Sequence, residues 1–433
     1  MERRQLYFST WRLVVQVIYL WKGHHDLTLK ARLKHAWQSD ELFILCPPLL
    51  KDYSFISFLP EGEIECIGSF SETEKNSVAS FQKIPRKKIT YPEHAVVGIF
   101  TSGTLSAKPR LALYSKRNIT FALTGIRSFF EVKKIEAIFC YPPPFHTFGL
   151  ILGYYQAILH GVTLHISEGR YSRESHKLWS QLREKNLLTL GTPSHFYDLI
   201  QYARDHKLTL SESYTAIIGG AKVSVPLWQE IQSVLKIEKP SIGYGATEAC
   251  PGVTHHPPGL CPKEEGEIGF PIPGVNIILK RDAGIEFSGE NVSLAIIENE
   301  EIFFPKSIVL EDWIEKRNED DMLLFRGRLG LLLNRGGTKY SLESIEDCLR
   351  KNFGIACAAL AVLDERLGED LGLVIASDTN LDLNHFREKL SAFFLHEYGH
   401  SFKLNHITTT RALPLNENGK IDRTQIAKII SAV

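Results

Sequence analysis

The chain has 433 residues, of which 44% are hydrophobic and 23% charged. That is the balance of an ordinary globular protein with room for more than one domain. Its 50 Lys and Arg residues equal its 50 Asp and Glu residues, so no overall field draws it to nucleic acid or an acidic membrane.

At the N-terminus, Arg3 and Arg4 precede an apolar run from Leu13 to Trp21. The run is short, carries Gln16 and lacks a small-residue cleavage site, so it reads as a buried helix or strand. A signal peptide or membrane span is not expected. Seven cysteines (Cys46, Cys66, Cys140, Cys250, Cys261, Cys348 and Cys357) are scattered with no CxxC pair. They read as reduced thiols of a cytoplasmic protein.

From residue 94 to about 250, short apolar runs alternate with amphipathic stretches. Strands are predicted at 94–100, 137–140, 162–167, 187–190 and 215–218, and helices at 172–186, 194–206 and 225–236. Ser224 is a suitable N-cap for the last helix, with Pro226 in its first turn. This alternation predicts an α/β fold with parallel-rich sheets and ligands gathered at the strand ends. Residues 251–300 are rich in Gly, Pro and acidic residues and predict a smaller β-rich subdomain. Beyond the break near 327, a helix at 342–352, strands at 358–364 and 371–377, a helix at 382–396 and an extended run at 406–413 predict a compact α+β unit. The expected division is therefore a large N-terminal domain, 1–327, and a small mobile C-terminal domain, 328–433.

Several segments put polar or flexible groups at predicted strand or domain edges. Thr101-Ser102-Gly103-Thr104 follows the first strand and suits phosphate oxygens, because hydroxyls and backbone N–H groups can donate and Gly103 permits close approach. It is no P-loop, since Lys108 is not followed by Ser or Thr. Gly219-Gly220 ends another strand, and Tyr244, Thr247 and Glu248 fall within five residues. Gly327-Arg328 stands at the domain break, and Lys420 lies in a loop with Asn418 and Gly419.

In this order, the segments resemble the adenylate-forming superfamily of acyl-CoA synthetases, peptide-synthetase adenylation domains and luciferases. TSGTLSAKPR resembles the TSGTTGxPKG phosphate loop, and YPPPFHTFGL a substrate-side segment. GGAKVS resembles the GGA segment, and GYGATEA the YGxTE signature. LEDW is similar to the TGD-W element, GRLGLLLNRGGTKYSLESIE to the hinge region, and LPLNENGKIDR to the LPxxxxGKidR terminus. The resemblance runs from residue 94 to the end.

It implies a set of roles. Thr101, Ser102, Gly103 and Thr104 would hold the β- and γ-phosphates of ATP, with Lys108 nearby. Tyr244 would lie against adenine, Thr247 would touch the α-phosphate, and Glu248 would ligate Mg²⁺. Asp312 would hold the ribose, with Arg328 assisting. Lys420 would bridge the substrate carboxylate and the α-phosphate, opposing the charge that builds there. His146, Gly219 and Gly220 would border the acyl group, and Gly337 the approach of the coenzyme A thiol. The implied activity is a carboxylate–CoA ligase, with catalysis by Lys420, Glu248 and Thr104. A carrier protein is the alternative acceptor and a non-catalytic nucleotide-binding relative a third reading. Phe145, His146 and Phe148 favour an aromatic or apolar acid, o-succinylbenzoate among the candidates.

Four departures stand out. Leu105-Ser106 replaces Thr-Gly, and Lys108-Pro109 reverses Pro-Lys, so that Arg110 is a substitute for the shifted lysine. Gly330 occupies the hinge position, and Leu310-Glu311 replaces Thr-Gly. TSGT also begins early in the chain, which predicts a reduced N-terminal subdomain.

Two metal readings compete. His396-Glu397-Tyr398-Gly399-His400 matches HExxH, with His406 where a third zinc ligand would fall. Gly399 within the required helix and Lys403 in place of a turning glycine argue against a protease. Cys250, His255, His256 and Cys261 match no common zinc spacing.

Overall fold

A computed structural model describes residues 17–22, 28–47, 50, 52–83, 87, 89–101, 110–130, 135–167, 173–182, 186–280, 284–335, 338–364, 366–377, 382–398, 402, 404–415 and 421–431. The chain divides into two compact units. One comprises residues 1–278, 286–308 and 316–324, the other 279–285, 309–315 and 325–433.

The chain begins with β1 (Val17–Lys22), α1 (Leu29–Ser39), β2 (Leu42–Cys46), β3 (Glu63–Gly68), α2 (Glu72–Gln82), β4 (Ala95–Thr101), β5 (Arg110–Ser115) and α3 (Lys116–Arg127). Next come β6 (Ala137–Cys140), a π-helix (Phe148–Tyr155) running into α4 (Gln156–His160), β7 (Thr163–Ile166) and α5 (Arg173–Gln181). They are followed by β8 (Leu187–Gly191), α6 (Pro193–Asp205), β9 (Ser213–Gly219), α7 (Val225–Ser233) and β10 (Ile237–Gly245). Strands then dominate: β11 (Gly252–His255), β12 (Glu267–Pro271), β13 (Asn276–Lys280), β14 (Gly284–Ser288), β15 (Ala295–Glu298), β16 (Glu301–Phe303), β17 (Ser307–Leu310), β18 (Asp312–Lys316) and β19 (Leu323–Arg328).

Two sheets organise the first unit. One has the order β16-β15-β5-β4-β2-β1-β3, parallel from β3 to β4 and antiparallel from β4 to β16. Its core gathers Ile18, Leu20, Leu42 and Ile44 with Phe55, Ile56 and Phe70. The other includes the run β19-β12-β11-β10-β9-β8-β6-β7, with five parallel strands from β10 to β7. Trp179, Phe196, Leu199, Trp228 and Ile231 of its helices pack on Phe139, Ala216 and Ile218. Strands β4 and β9 are buried along their whole length, as a sheet covered on both faces requires.

Strand β6 spans the residues predicted for it, and Ser224 caps α7 by accepting from Leu227 N at 3.3 Å. The predicted helix 225–236 stops at Ser233, since Lys236 takes a left-handed φ of 55° before β10 begins. The residues after the phosphate loop form a strand and a helix that the sequence reading left out. Ser115 and Asn118 make a capping box there, and the Asn118 amide donates to Glu290 O and Val292 O at 2.8 and 2.9 Å.

In the second unit, β20 (Leu332–Arg335) and β21 (Thr338–Ser341) form a hairpin, followed by α8 (Leu342–Phe353). β22 (Cys357–Asp364), β23 (Gly368–Ala376), α9 (Leu383–Tyr398), β24 (His406–Thr410) and α10 (Arg423–Ser431) complete it. Its sheet has the order β21-β20-β23-β22, with β24 parallel to β23. Leu333, Ile345, Leu371, Leu373, Phe394 and Phe402 fill one face, and Ile426 and Ile430 cover Ala358 and Val374 on the other. The extended run predicted at 406–413 is strand only to Thr410.

Candidate functional site

Thr101 closes β4, buried, and pairs across the antiparallel ladder with Arg110, the first residue of β5. Strands β4 and β5 on either side of the TSGT segment therefore form a β-hairpin rather than a strand-to-helix turn. Ser102, Gly103, Thr104 and Lys108 lie outside the described residues.

Strand β10 delivers Tyr244, half-buried, and then turns sharply. A Cβ on Gly245 would lie 1.7 Å from Pro251 O, so only glycine lets the chain double back there. Ala246 N donates to Pro251 O at 3.0 Å, a 3₁₀ turn spans Thr247–Ala249, and Cys250 ends it in the left-handed region. The turn is held from both sides. Tyr114 of β5 donates its hydroxyl to Thr247 O at 2.5 Å, and Ser293 N donates to Glu248 O at 2.9 Å. Burial first, then the neighbouring Cys250 and Glu248, pushes the Tyr114 phenol well up, so it remains a donor.

Held in this way, the Glu248 side chain is 10% exposed and meets Arg110, whose Nη1 donates to Glu248 Oε1 at 3.3 Å. Arg110 Nε also lies 3.0 Å from Glu298 Oε2, though out of hydrogen-bonding alignment. Two carboxylates, one from the 3₁₀ turn and one from the end of β15, thus converge on one cation. Hard carboxylate oxygens of this kind fit Mg²⁺. Among the described residues no group of three or more His, Cys, Asp or Glu could hold a metal, so further ligands would come from phosphate and water.

The parallel sheet ends in a second cluster. Gly220 has φ of 83°, and a Cβ there would sit 3.5 Å from Thr192 Cγ2. A Cβ on Gly219 would lie 3.2 Å from Gly243 O and 3.4 Å from the Phe148 ring. Phe148 opens the π-helix, which passes close to β6: a Cβ on Gly149 would meet Pro142 O at 2.3 Å, and one on Gly153 would meet Cys140 Sγ at 2.8 Å. His146 is exposed in the preceding turn, with its ring 4.9 Å from Phe145. Thr192 is fixed through His195, whose Nδ1 accepts from Thr192 N at 3.0 Å. The His195 ring stacks on Tyr141 at 5.0 Å, and Tyr141 Oη lies 3.0 Å from His176 Nδ1. The result is a wall of small and aromatic groups backed by a buried polar network.

In the second unit, Asp312 is buried with Oδ1 3.6 Å from Arg328 Nε. Leu329 N donates to Glu311 O at 2.7 Å, which draws the residue before Gly330 to the same strand end. Gly337 and Lys420 lie outside the described residues, but the frame of the lysine loop is defined. Leu415 and Ile421 form an isolated bridge, and Asp422 N donates to Pro414 O at 2.9 Å. Arg423 Nη2 donates to Glu346 Oε2 of α8 at 3.0 Å, while Glu346 Oε1 accepts from Ala359 N at 2.6 Å.

Only the second of the two candidate metal segments lies wholly within the described residues. His396 lies in the last turn of α9, which ends at Tyr398, and Gly399 and His400 are outside the described residues. His255 Nε2 is 2.8 Å from Ser241 Oγ, with Phe129 and Phe130 each 5.1 Å from its ring, and His256 Nε2 is 3.1 Å from Glu267 Oε2. Cys261 is exposed, and all seven cysteines are unpaired.

Sequence reasoning missed Glu298, Tyr114, Thr192 and His195. Glu298 sits in an acidic run that looks solvated, and Tyr114 in a segment given no element. Only the Thr-Pro-Ser-His spacing of a capping box marks Thr192 and His195.

A family model described as AMP-binding enzyme matches residues 53–292. Among curated proteins, 3-[(3aS,4S,7aS)-7a-methyl-1,5-dioxo-octahydro-1H-inden-4-yl]propanoyl:CoA ligase of Rhodococcus jostii is 26% identical over 338 residues, 75% of this chain and 63% of that protein. The chain spans less than two thirds of the length of the first curated relatives it matches. The o-succinylbenzoate CoA synthetase of Bacillus subtilis, solved with its acyl-adenylate intermediate, superposes with a TM-score of 0.77 at 16% identity, covering 95% of this chain and 88% of that one. McyG A-PCP with phenylalanyl-adenylate gives 0.73 at 16% identity, with 97% and 86% covered. Both solved structures share this chain's fold.

Proposed function

The chain belongs to the AMP-binding enzyme family, and on that premise we propose that it is an ATP-dependent carboxylate–CoA ligase acting through an acyl-adenylate. The observation that carries this reading is Glu248, a carboxylate locked onto a rigid turn by Tyr114 and Ser293 and facing the Thr101–Arg110 end of the phosphate-loop hairpin.

In the first half-reaction, a substrate carboxylate oxygen attacks the α-phosphorus of ATP. The bond to the bridging oxygen of the β-phosphate breaks, and pyrophosphate leaves. Thr101, Ser102, Gly103 and Thr104, with Lys108, hold the departing phosphates. Tyr244 lies against adenine and Thr247 at the α-phosphate, while Asp312 and Arg328 take the ribose. Mg²⁺ on Glu248 offsets the negative charge of the phosphates when bound. Lys420 opposes the charge that builds at the attacked phosphorus, a role whose loss costs about 10²–10³ in rate.

In the second half-reaction, the coenzyme A thiol loses its proton and attacks the acyl carbon, so the acyl–oxygen bond breaks and AMP leaves. Gly337 borders the thiol's approach, and a boundary at 327/328 lets residues 328–433 move between the two steps. Gly219, Gly220 and His146, with Phe148, border the acyl group, which favours an aromatic or apolar acid. The fold match to an o-succinylbenzoate CoA synthetase keeps that acid in the panel. A carrier-protein acceptor is the second reading, and the fold match to McyG A-PCP supports it. Seven unpaired thiols fit a reducing, cytoplasmic setting. Among the described residues no helix is long and apolar enough to cross a membrane.

The test is pyrophosphate release over a panel of o-succinylbenzoate, benzoates and medium-chain acids, with and without coenzyme A. One acid should give AMP and a thioester together with pyrophosphate. Turnover to AMP that ignores coenzyme A would remove the ligase reading, and ATP binding with no turnover on any acid would favour a non-catalytic relative.

A further inference from the structure

Arg110 stands where the phosphate-loop pattern TSGTTGxPKG has its last glycine, and its guanidinium lies against the Glu248 carboxylate. Among the described residues it is the cation paired with Glu248, and it faces Glu298 as well. Neither contact is strong. The Glu248 hydrogen bond is single and long at 3.3 Å, the Nε approach to Glu298 is misaligned, and the side chain is 35% exposed. A guanidinium prefers a two-pronged partner, and phosphate oxygens supply one.

We infer that Arg110 is an internal counter-cation that competes with the divalent metal for Glu248 in the nucleotide-free protein and moves to the phosphates when nucleotide binds. This rests on the reading of Glu248 as a metal ligand. The backbone of Arg110 is fixed by β5 opposite Thr101, so the exchange needs only side-chain rotation. Its consequence is ordered loading. Free metal binds weakly, because it must displace a positive charge already on the carboxylate, whereas metal arriving with phosphate finds Glu248 released. The arrangement would offset part of the charge of the two carboxylates between turnovers without a resident ion.

Titration of the nucleotide-free protein with Mn²⁺ alone, followed by electron paramagnetic resonance of the unbound ion, tests this. Removing a unit charge from beside the ligand should tighten Mn²⁺ binding about tenfold in Arg110→Gly, whereas Arg110→Lys should stay as weak as the wild type. Adding Glu248→Gln to Arg110→Gly should abolish the gain. Thermal melts of each variant confirm that it is folded. If the wild type and Arg110→Gly bind Mn²⁺ equally and Glu248→Gln removes the binding, competition is wrong while Glu248 remains a metal ligand. If the gain survives Glu248→Gln, or no binding depends on Glu248 even with ATP present, the metal role of Glu248 falls with it.

Discussion

At the scale of single residues, the candidate nucleotide site depends on backbone that will accept no side chain. Gly243 and Gly245 sit two apart in the same motif, yet the strand treats them differently. A Cβ on Gly243 would make ordinary contacts, 3.4 Å to Ile217 and 3.6 Å to His255, whereas on Gly245 it would lie 1.7 Å from Pro251 O. Gly243→Ala is therefore expected to change stability by less than about 1 kcal/mol, and Gly245→Ala to cost about 3 kcal/mol with loss of nucleotide binding. Urea unfolding of the two variants checks this, and equal midpoints would mean that the tight return at Gly245 is wrong. The motif GYGATE was legible in the sequence as a signature. The unequal burden on its glycines was not, because it comes from Pro251, which approaches only after the chain turns back.

At the scale of elements, the strand that delivers Glu248 is tied to its neighbour by a buried imidazole. His255 of β11 reaches Ser241 of β10 at 2.8 Å, and burial, with His256 adding a like charge, pushes it down to about 3. A histidine whose folded value lies below its unfolded value contributes stability that is complete above about pH 6.5 and is lost as pH falls towards 3. Its share of the slope is up to about 1.4 kcal/mol per pH unit. His255→Asn should unfold less steeply with pH between 6.5 and 4 than the wild type, read by urea midpoints across that range. Parallel curves would place the imidazole in water. The elements themselves were unevenly legible. The parallel strands β6, β8 and β9 declare themselves because burial on both faces makes them mostly apolar. Strand β5 and helix α3 did not, because Lys108-Pro109-Arg110 reads as a continuing loop. The π-helix was hidden too: its glycines answer to Pro142 and Cys140 across space rather than to any sequence period.

At the scale of the molecule, each of the two units carries its own part of the motif set. The first unit brings together Thr101, Arg110 and the Glu248 turn, and sets Gly219 and Gly220 against Phe148 and Thr192. The second pairs Asp312 with Arg328 and, three residues past Lys420, ties the half-buried Arg423 to the buried Glu346. Order along the chain made this set legible without geometry, because each segment gains meaning from the ones before and after it. The partners that hold the segments, such as Glu298 and Tyr114, stayed silent since they contact site backbone or a guanidinium from positions outside the quoted motifs. The central claim is that a carboxylate oxygen becomes bonded to the α-phosphorus. It is tested most directly with the active acid labelled with ¹⁸O in its carboxylate, turned over with ATP and coenzyme A. Mass spectrometry of the product AMP should find one labelled oxygen per molecule, and AMP free of label would contradict the acyl-adenylate route.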